Sequence, residues 1–169
     1  KARGAHIYAE IVGIGLTADA YHLTASDPEG EGARNAMQLA VNEANIKLDQ
    51  IDYINTHGTS TPIGDIAEVK AIQALFGEHA YNINITSSKS MTGHILGGTG
   101  AVEAIISILS MQHGIVTPTI NHEDGDEDPN IDYKLNFTFN KAQQRDIRYA
   151  MSNNFGFGGH NACLLFKKL

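Results

Sequence analysis

At 169 residues the chain is long enough for one domain with a substantial core. Hydrophobic residues make up 42% and charged residues 18%, the balance of a soluble α/β protein. The formal charge of -7 and the lack of a basic stripe argue against a nucleic-acid partner.

No apolar stretch reaches the length of a membrane span, and no signal-peptide pattern opens the chain. The one cysteine, Cys163, cannot form an internal disulfide, so a reducing, cytoplasmic compartment is expected. Asn84-Ile85-Thr86 and Asn136-Phe137-Thr138 match the glycosylation sequon, and in strand-like cytoplasmic context both read as chance.

The chain begins "KARGAHIYAEIVGIGL", without an initiator methionine. That start fits a segment cut from the interior of a longer protein better than a processed natural terminus. Residues 7–16, β-branched and apolar with glycines, predict the first strand. After the loop "TASDPEGEG", Ala33, Ala36, Met37, Ala40, Val41 and Ala44 recur at helical spacing and predict an amphipathic helix. "IDYINTH" (51–57) predicts the second strand. Thr61 as N-cap and Pro62 in the first turn predict a helix running to about Phe76 and Gly77.

"YNINITS" (81–87) predicts the third strand, and residues 99–113 the third helix. That helix is apolar around almost its whole circumference, so it is expected to be buried on all sides. An acidic loop, "NHEDGDEDPN", then leads to two more strands, "IRYAMS" and "ACLLFK", joined by the loop "NNFGFGGHN". The sum is βαβαβα plus a strand pair in a single α/β domain spanning 1–169. It predicts a mixed, mostly parallel five-stranded sheet with helices on its faces.

Ligands of such sheets bind outside the carboxyl ends of the strands. Two loops leaving such ends carry histidine: "NTHGTSTPIGD" with His57, and "SSKSMTGHILGGTG" with Lys89 and His94. Parallel order puts both loops on one edge, so the two histidines can converge. Either histidine alone reads as a loop residue capped by hydroxyls. Both together, each flanked by glycine and threonine, point to function. A neutral imidazole can donate to an oxygen on which negative charge develops.

Lys89 is either a solvated lysine or the centre of a hydrogen-bond network that holds nearby histidines neutral by repulsion. Glu103 either reaches the surface or pairs with that network, because a bare buried carboxylate costs several kcal/mol. "GGTG" lacks the full dinucleotide fingerprint, and "DGDED" lacks the glutamate of a calcium loop. Metal ligation by His57 and His94 lacks a third ligand, so neither metal nor cofactor is expected.

"YINTHGTSTPIGD", "SSKSMTGHILGGTGAVEA" and "MSNNFGFGGHNACLLFKK" closely resemble the carboxyl-terminal half of β-ketoacyl-acyl-carrier-protein synthases. The likeness runs in order from about Ile7 to Leu169, and its wording is nearer the synthase II branch than synthase I. It implies one half of a thiolase-like fold and a decarboxylating Claisen condensation with malonyl-carrier protein. By the same resemblance His57 and His94 bind the malonyl thioester oxygen, Lys89 supports His94, and Glu103 pairs within the network. Thr59 and Thr61, and less surely Thr24, line the pantetheine arm. Phe157 gates the acyl pocket, and its backbone N–H serves the oxyanion hole of the cysteine thioester.

His160 stands where familiar members have threonine, and it is given no catalytic role. The family's nucleophile lies in an acidic-Thr-Ala-Cys context of the amino-terminal half that this chain does not contain. Cys163, in the apolar "NACLLF", is no substitute, so the chain alone is expected to be inactive. Implied partners are acyl carrier protein, the amino-terminal half and, in the full enzyme, a second copy as homodimer. Substrates ride on the carrier's phosphopantetheine. The alternatives are a non-catalytic, chain-length-factor-like partner subunit and a polyketide-type ketosynthase half. Deprived of its other half, the apolar helix at 99–113 is expected to drive self-association.

Overall fold

The computed structural model describes residues 1–169. Its main elements are β1 (Glu10–Ala18), α1 (Glu31–Ala44), β2 (Tyr53–Asn55), α2 (Pro62–Phe76) and β3 (Asn84–Thr86). They are followed by the short α3 (Lys89–Thr92), α4 (Thr99–His113), β4 (Ile115–Val116), β5 (Gln143–Gln144), β6 (Tyr149–Gly156) and β7 (His160–Lys167). Five strands form one sheet in the order β1-β7-β6-β2-β3, and β4 pairs with β5 in a separate ribbon. β3, β2 and β6 run parallel, while β7 is antiparallel to both of its neighbours, β6 and β1. The sheet is therefore mixed, with β7 alone reversed.

The faces follow from the strand period. Tyr53 and Ile54 are successive residues of β2 and point to opposite sides. Ile54 joins Met37, Ile72, Met151 and Leu165 in the larger core cluster beneath α1 and α2, and Tyr53 joins Met111, Val116, Ile147 and Phe166 in the smaller one beneath α4. α1 lies unusually close to β1. A Cβ at Gly13 or Gly15 would overlap the carbonyl oxygens of Ala40 and Ala36. Small residues on both elements are thus what the helix stripe of alanines means: backbone approaches backbone.

Three expectations are corrected. The strand pair reaches further than predicted, because the loop between β6 and β7 shrinks to Phe157, Gly158 and Gly159. Gly158 and Gly159 take φ of +85° and +75°, which glycine adopts without strain and which closes a tight hairpin. The turn at α3 and the β4–β5 ribbon were not foreseen, being too short for any periodicity to show.

The third correction concerns α4, which is not buried on all sides. Its buried face is Thr99, Glu103, Ser107, Ser110 and Met111, whereas Ile105 and Leu109 are 56% and 42% exposed. Small hydroxyl residues let the helix sit close to the sheet, so the branched side chains are left on the outer face. No helix in the structure is long and apolar enough to cross a membrane.

Candidate active site

β2 and β3 are adjacent and parallel, so the loops that leave their carboxyl ends rise side by side. His57 lies just beyond β2, and Lys89 and His94 just beyond β3. The rings of His57 and His94 stand 5.5 Å apart, centroid to centroid, and almost perpendicular at 88°. The ring of Phe155, near the end of β6, packs 5.4 Å from that of His57, centroid to centroid. Two histidines distant in sequence thus share one site.

Lys89 is not solvated. It is 7% exposed, and its Nζ donates to Glu103 Oε1 at 2.6 Å from a carboxylate that is itself fully buried. Asn154 Nδ2 donates to the other oxygen of Glu103 at 3.1 Å. Burial pushes the Glu103 carboxyl up, and the Lys89 hydrogen bond opposes that push. Paired this way, neither group is left in the core without a partner.

The charge on Lys89 acts on His57. Burial first, then the positive potential of Lys89 and of His94, holds the His57 imidazole down to about 3 from its ordinary 6.5. At neutral pH the ring is uncharged, and its buried Nδ1 has no partner within the chain. His94 is oriented differently. Its Nδ1 lies 3.3 Å from the backbone N–H of Leu96, which can only donate. Neutral His94 therefore carries its proton on Nε2.

Glu68, not singled out from the sequence, organises the His57 loop. The backbone N–H of His57 donates to its Oε1 at 3.0 Å and that of Gly58 to its Oε2 at 2.9 Å. Asn153 Nδ2 adds a third donor at 3.1 Å. Burial pushes this carboxyl up to about 7 against the pull of those donors. A signal existed: Glu68 lies on the stripe of Ile72 and Phe76, at i+4 and i+8, and is the one charge on it.

The two shifts oppose each other in the pH dependence of stability. Glu68 holds a proton in the folded state that the unfolded chain releases, so stability falls as pH rises from 4.5 to about 7. His57 refuses a proton that the unfolded chain takes up, so stability rises with pH from about 3 to 6.5. Glu68→Gln removes the first slope and is expected to make stability climb more steeply between pH 4.5 and 6.5. Urea unfolding across that range measures the change, and an unaltered slope would contradict the assignment.

Thr59 and Thr61 line a cavity of about 750 Å³ that also touches Asp65, Lys89 and His94. Their hydroxyls are 3.2 Å apart. Thr24 is not in that wall. It is exposed beside the hairpin, next to Leu23, whose carbonyl accepts the Gly158 N–H at 2.6 Å. Phe157 stands at the hairpin tip, 78% exposed and outside the same cavity. Cys163 faces the core from β7, fully buried, and burial with the nearby Glu68 charge pushes its thiol far up. Its thiol is therefore hidden from solvent and disfavoured as a thiolate.

Comparison with known proteins identifies the family. Residues 8–123 match the family model described as the C-terminal domain of β-ketoacyl synthase. The chain is 56% identical over 168 residues to 3-oxoacyl-[acyl-carrier-protein] synthase 2 of Staphylococcus aureus (strain COL), covering 99% of this chain and 40% of that protein. The synthase 2 of Vibrio harveyi is 49% identical over 170 residues, covering 100% and 40%. Among solved structures, a β-ketoacyl synthase from Burkholderia phymatum superposes with a TM-score of 0.91 at 41% identity, covering 99% of this chain and 39% of that one. A type II polyketide ketosynthase, solved with its acyl-carrier protein and a hexaketide, gives 0.94 at 34%, covering 99% and 40%. The chain thus spans about two-fifths of the length of these relatives. With the mixed sheet, the paired histidines and the buried Lys89–Glu103 bridge in place, the chain belongs to the β-ketoacyl synthase family, within its carboxyl-terminal domain.

Proposed function

We propose that these residues are the carboxyl-terminal part of a type 2 3-oxoacyl-acyl-carrier-protein synthase, which lengthens fatty acyl chains with malonyl-carrier protein. The observation that carries this reading is the pair of imidazoles 5.5 Å apart, one of them pinned neutral beside a buried lysine.

The reaction needs an oxyanion held without being quenched. The malonyl thioester oxygen sits between His57 and His94 and accepts their N–H groups, that of His94 from Nε2. The bond to the terminal carboxylate breaks, carbon dioxide leaves, and the electron pair moves onto the thioester oxygen as an enolate. A neutral imidazole stabilises that charge by hydrogen bonding. An imidazolium would surrender its proton and destroy the carbanion. The carbanion then attacks the acyl thioester on a cysteine supplied from outside these residues, and the thiolate departs.

Thr59 and Thr61, and less directly Thr24, flank the pantetheine arm of acyl carrier protein, the one carrier group required, so that no metal or separate cofactor takes part. Phe157 swings on its glycine neighbours to admit the acyl chain, and its N–H joins the oxyanion hole of the cysteine thioester. The amino-terminal half packs on the exposed apolar face of α4, and the full enzyme is a cytoplasmic homodimer. Retention of His57, Lys89 and His94 together speaks against a non-catalytic, chain-length-factor-like subunit. The 56% identity to a fatty-acid synthase 2 favours fatty-acid over polyketide elongation.

A direct test incubates the 169-residue chain with acyl- and malonyl-carrier protein. No 3-oxoacyl product is expected, because its one thiol is buried. The same residues within a protein that carries a reactive cysteine are expected to give product. Elongation by the chain alone would refute the assignment.

A further inference from the structure

We propose that Thr99, the first residue of α4, is a positioning residue for the condensation: its hydroxyl fixes the tautomer and the orientation of His94. This inference rests on the role proposed above for His94 as an oxyanion donor. Thr99 is 1% exposed, and its Oγ1 lies 3.0 Å from His94 Nδ1 and 2.9 Å from the backbone N of Ile95.

The direction of each bond follows from inventory. The Ile95 N–H can only donate, so it occupies a lone pair of the Thr99 oxygen. The Leu96 N–H, 3.3 Å from the same ring nitrogen, makes Nδ1 an acceptor. The single hydroxyl proton of Thr99 is therefore free to point at Nδ1, and it supplies the shorter of the two bonds there. Two donors on Nδ1 leave the ring proton on Nε2 and aim it away from α4.

The turn that makes this possible is strained. Leu96 takes φ of +54°, an uncommon conformation for a branched residue. It turns consecutive N–H groups, those of Ile95 and Leu96, toward Thr99 and His94. Removal of the hydroxyl strips Ile95 of its acceptor and His94 of its nearer donor, so the turn and the ring lose their brace together. His94 itself is exposed in the chain, and neighbouring side chains do not confine it from that side.

The test uses the intact condensing enzyme that contains these residues, with Thr99→Val, Thr99→Ala and Thr99→Ser. Loss of one hydrogen bond that matters in the transition state is expected to lower kcat for malonyl decarboxylation and condensation about ten-fold in Val and Ala. KM for malonyl-carrier protein is expected to stay within about two-fold, and Ser to restore most of the rate. Wild-type rates in Val and Ala would overturn the proposal. So would a fall in Ser equal to that in Val, or a KM rise matching the kcat loss, either of which marks a packing role alone. His94→Ala, run in parallel, separates the two levels. If that variant keeps its rate, the oxyanion reading fails; if it loses rate while Thr99→Val does not, only the role of Thr99 fails.

Discussion

Replacement of His94 by alanine in the intact enzyme is expected to slow malonyl decarboxylation and condensation by about 10²- to 10³-fold. That is the usual effect of removing one preorganised oxyanion donor. Acyl loading onto the cysteine is expected to change far less, since the role proposed for the Nε2 donor is at the malonyl thioester. The loss should appear in kcat, because the hydrogen bond strengthens only as charge moves onto the oxygen. Parallel assays of acyl transfer and of carbon dioxide release measure this split. Equal loss in both half-reactions would show that His94 serves the site as a whole and not the enolate. Glutamine is the informative second variant, because its amide N–H can partly replace the donor without bringing a titratable group.

The largest effect on stability is expected at the buried bridge. Lys89→Ala leaves the fully buried Glu103 carboxyl without its partner, and Glu103→Ala does the same to the Lys89 amine. Breaking a buried pair from one side typically destabilises by about 3–5 kcal/mol. The double variant Lys89→Met with Glu103→Leu removes both charges at similar volume, and it is expected to recover most of that loss. Chemical denaturation of the three variants tests the point: additive losses in the double variant would mean the two groups do not act as a pair. Activity is not expected to return with stability. Without Lys89, His57 loses a positive neighbour that helps to hold it uncharged. On the proposed mechanism, the bridge couples folding to catalysis through one charge.

The site was partly legible because its main residues occupy positions that chain topology alone defines. His57 and Lys89 follow parallel strands, and parallel strands put their exits on one edge. Glu103 was legible as one carboxylate in an apolar helix, and it proved fully buried. Glu68 obeys the same logic on α2 and was passed over, since an isolated glutamate reads as a solvated face until the stripe is drawn through Ile72 and Phe76. Thr24, grouped with Thr59 and Thr61 by family likeness, stands by the hairpin outside the wall of their cavity, a placement that only the folded chain defines.

The amino-acid sequence by itself determined the order of strands and helices, the edge at which the candidate site gathers, and the motifs that supply its residues. Hydrophobic period, turn glycines and loop position suffice for these, because they depend on neighbours in the chain. The tertiary structure alone decided which atom of each residue is used. A partner such as Glu68 for the His57 amide, or Thr99 for the His94 ring, is set by distances of about 3 Å across different elements. The outward turn of the apolar side of α4 was decided there too, by small hydroxyl residues that let the helix approach the sheet. Side-chain size along one helix does not reveal which face finds cover; only the packed sheet beneath it does.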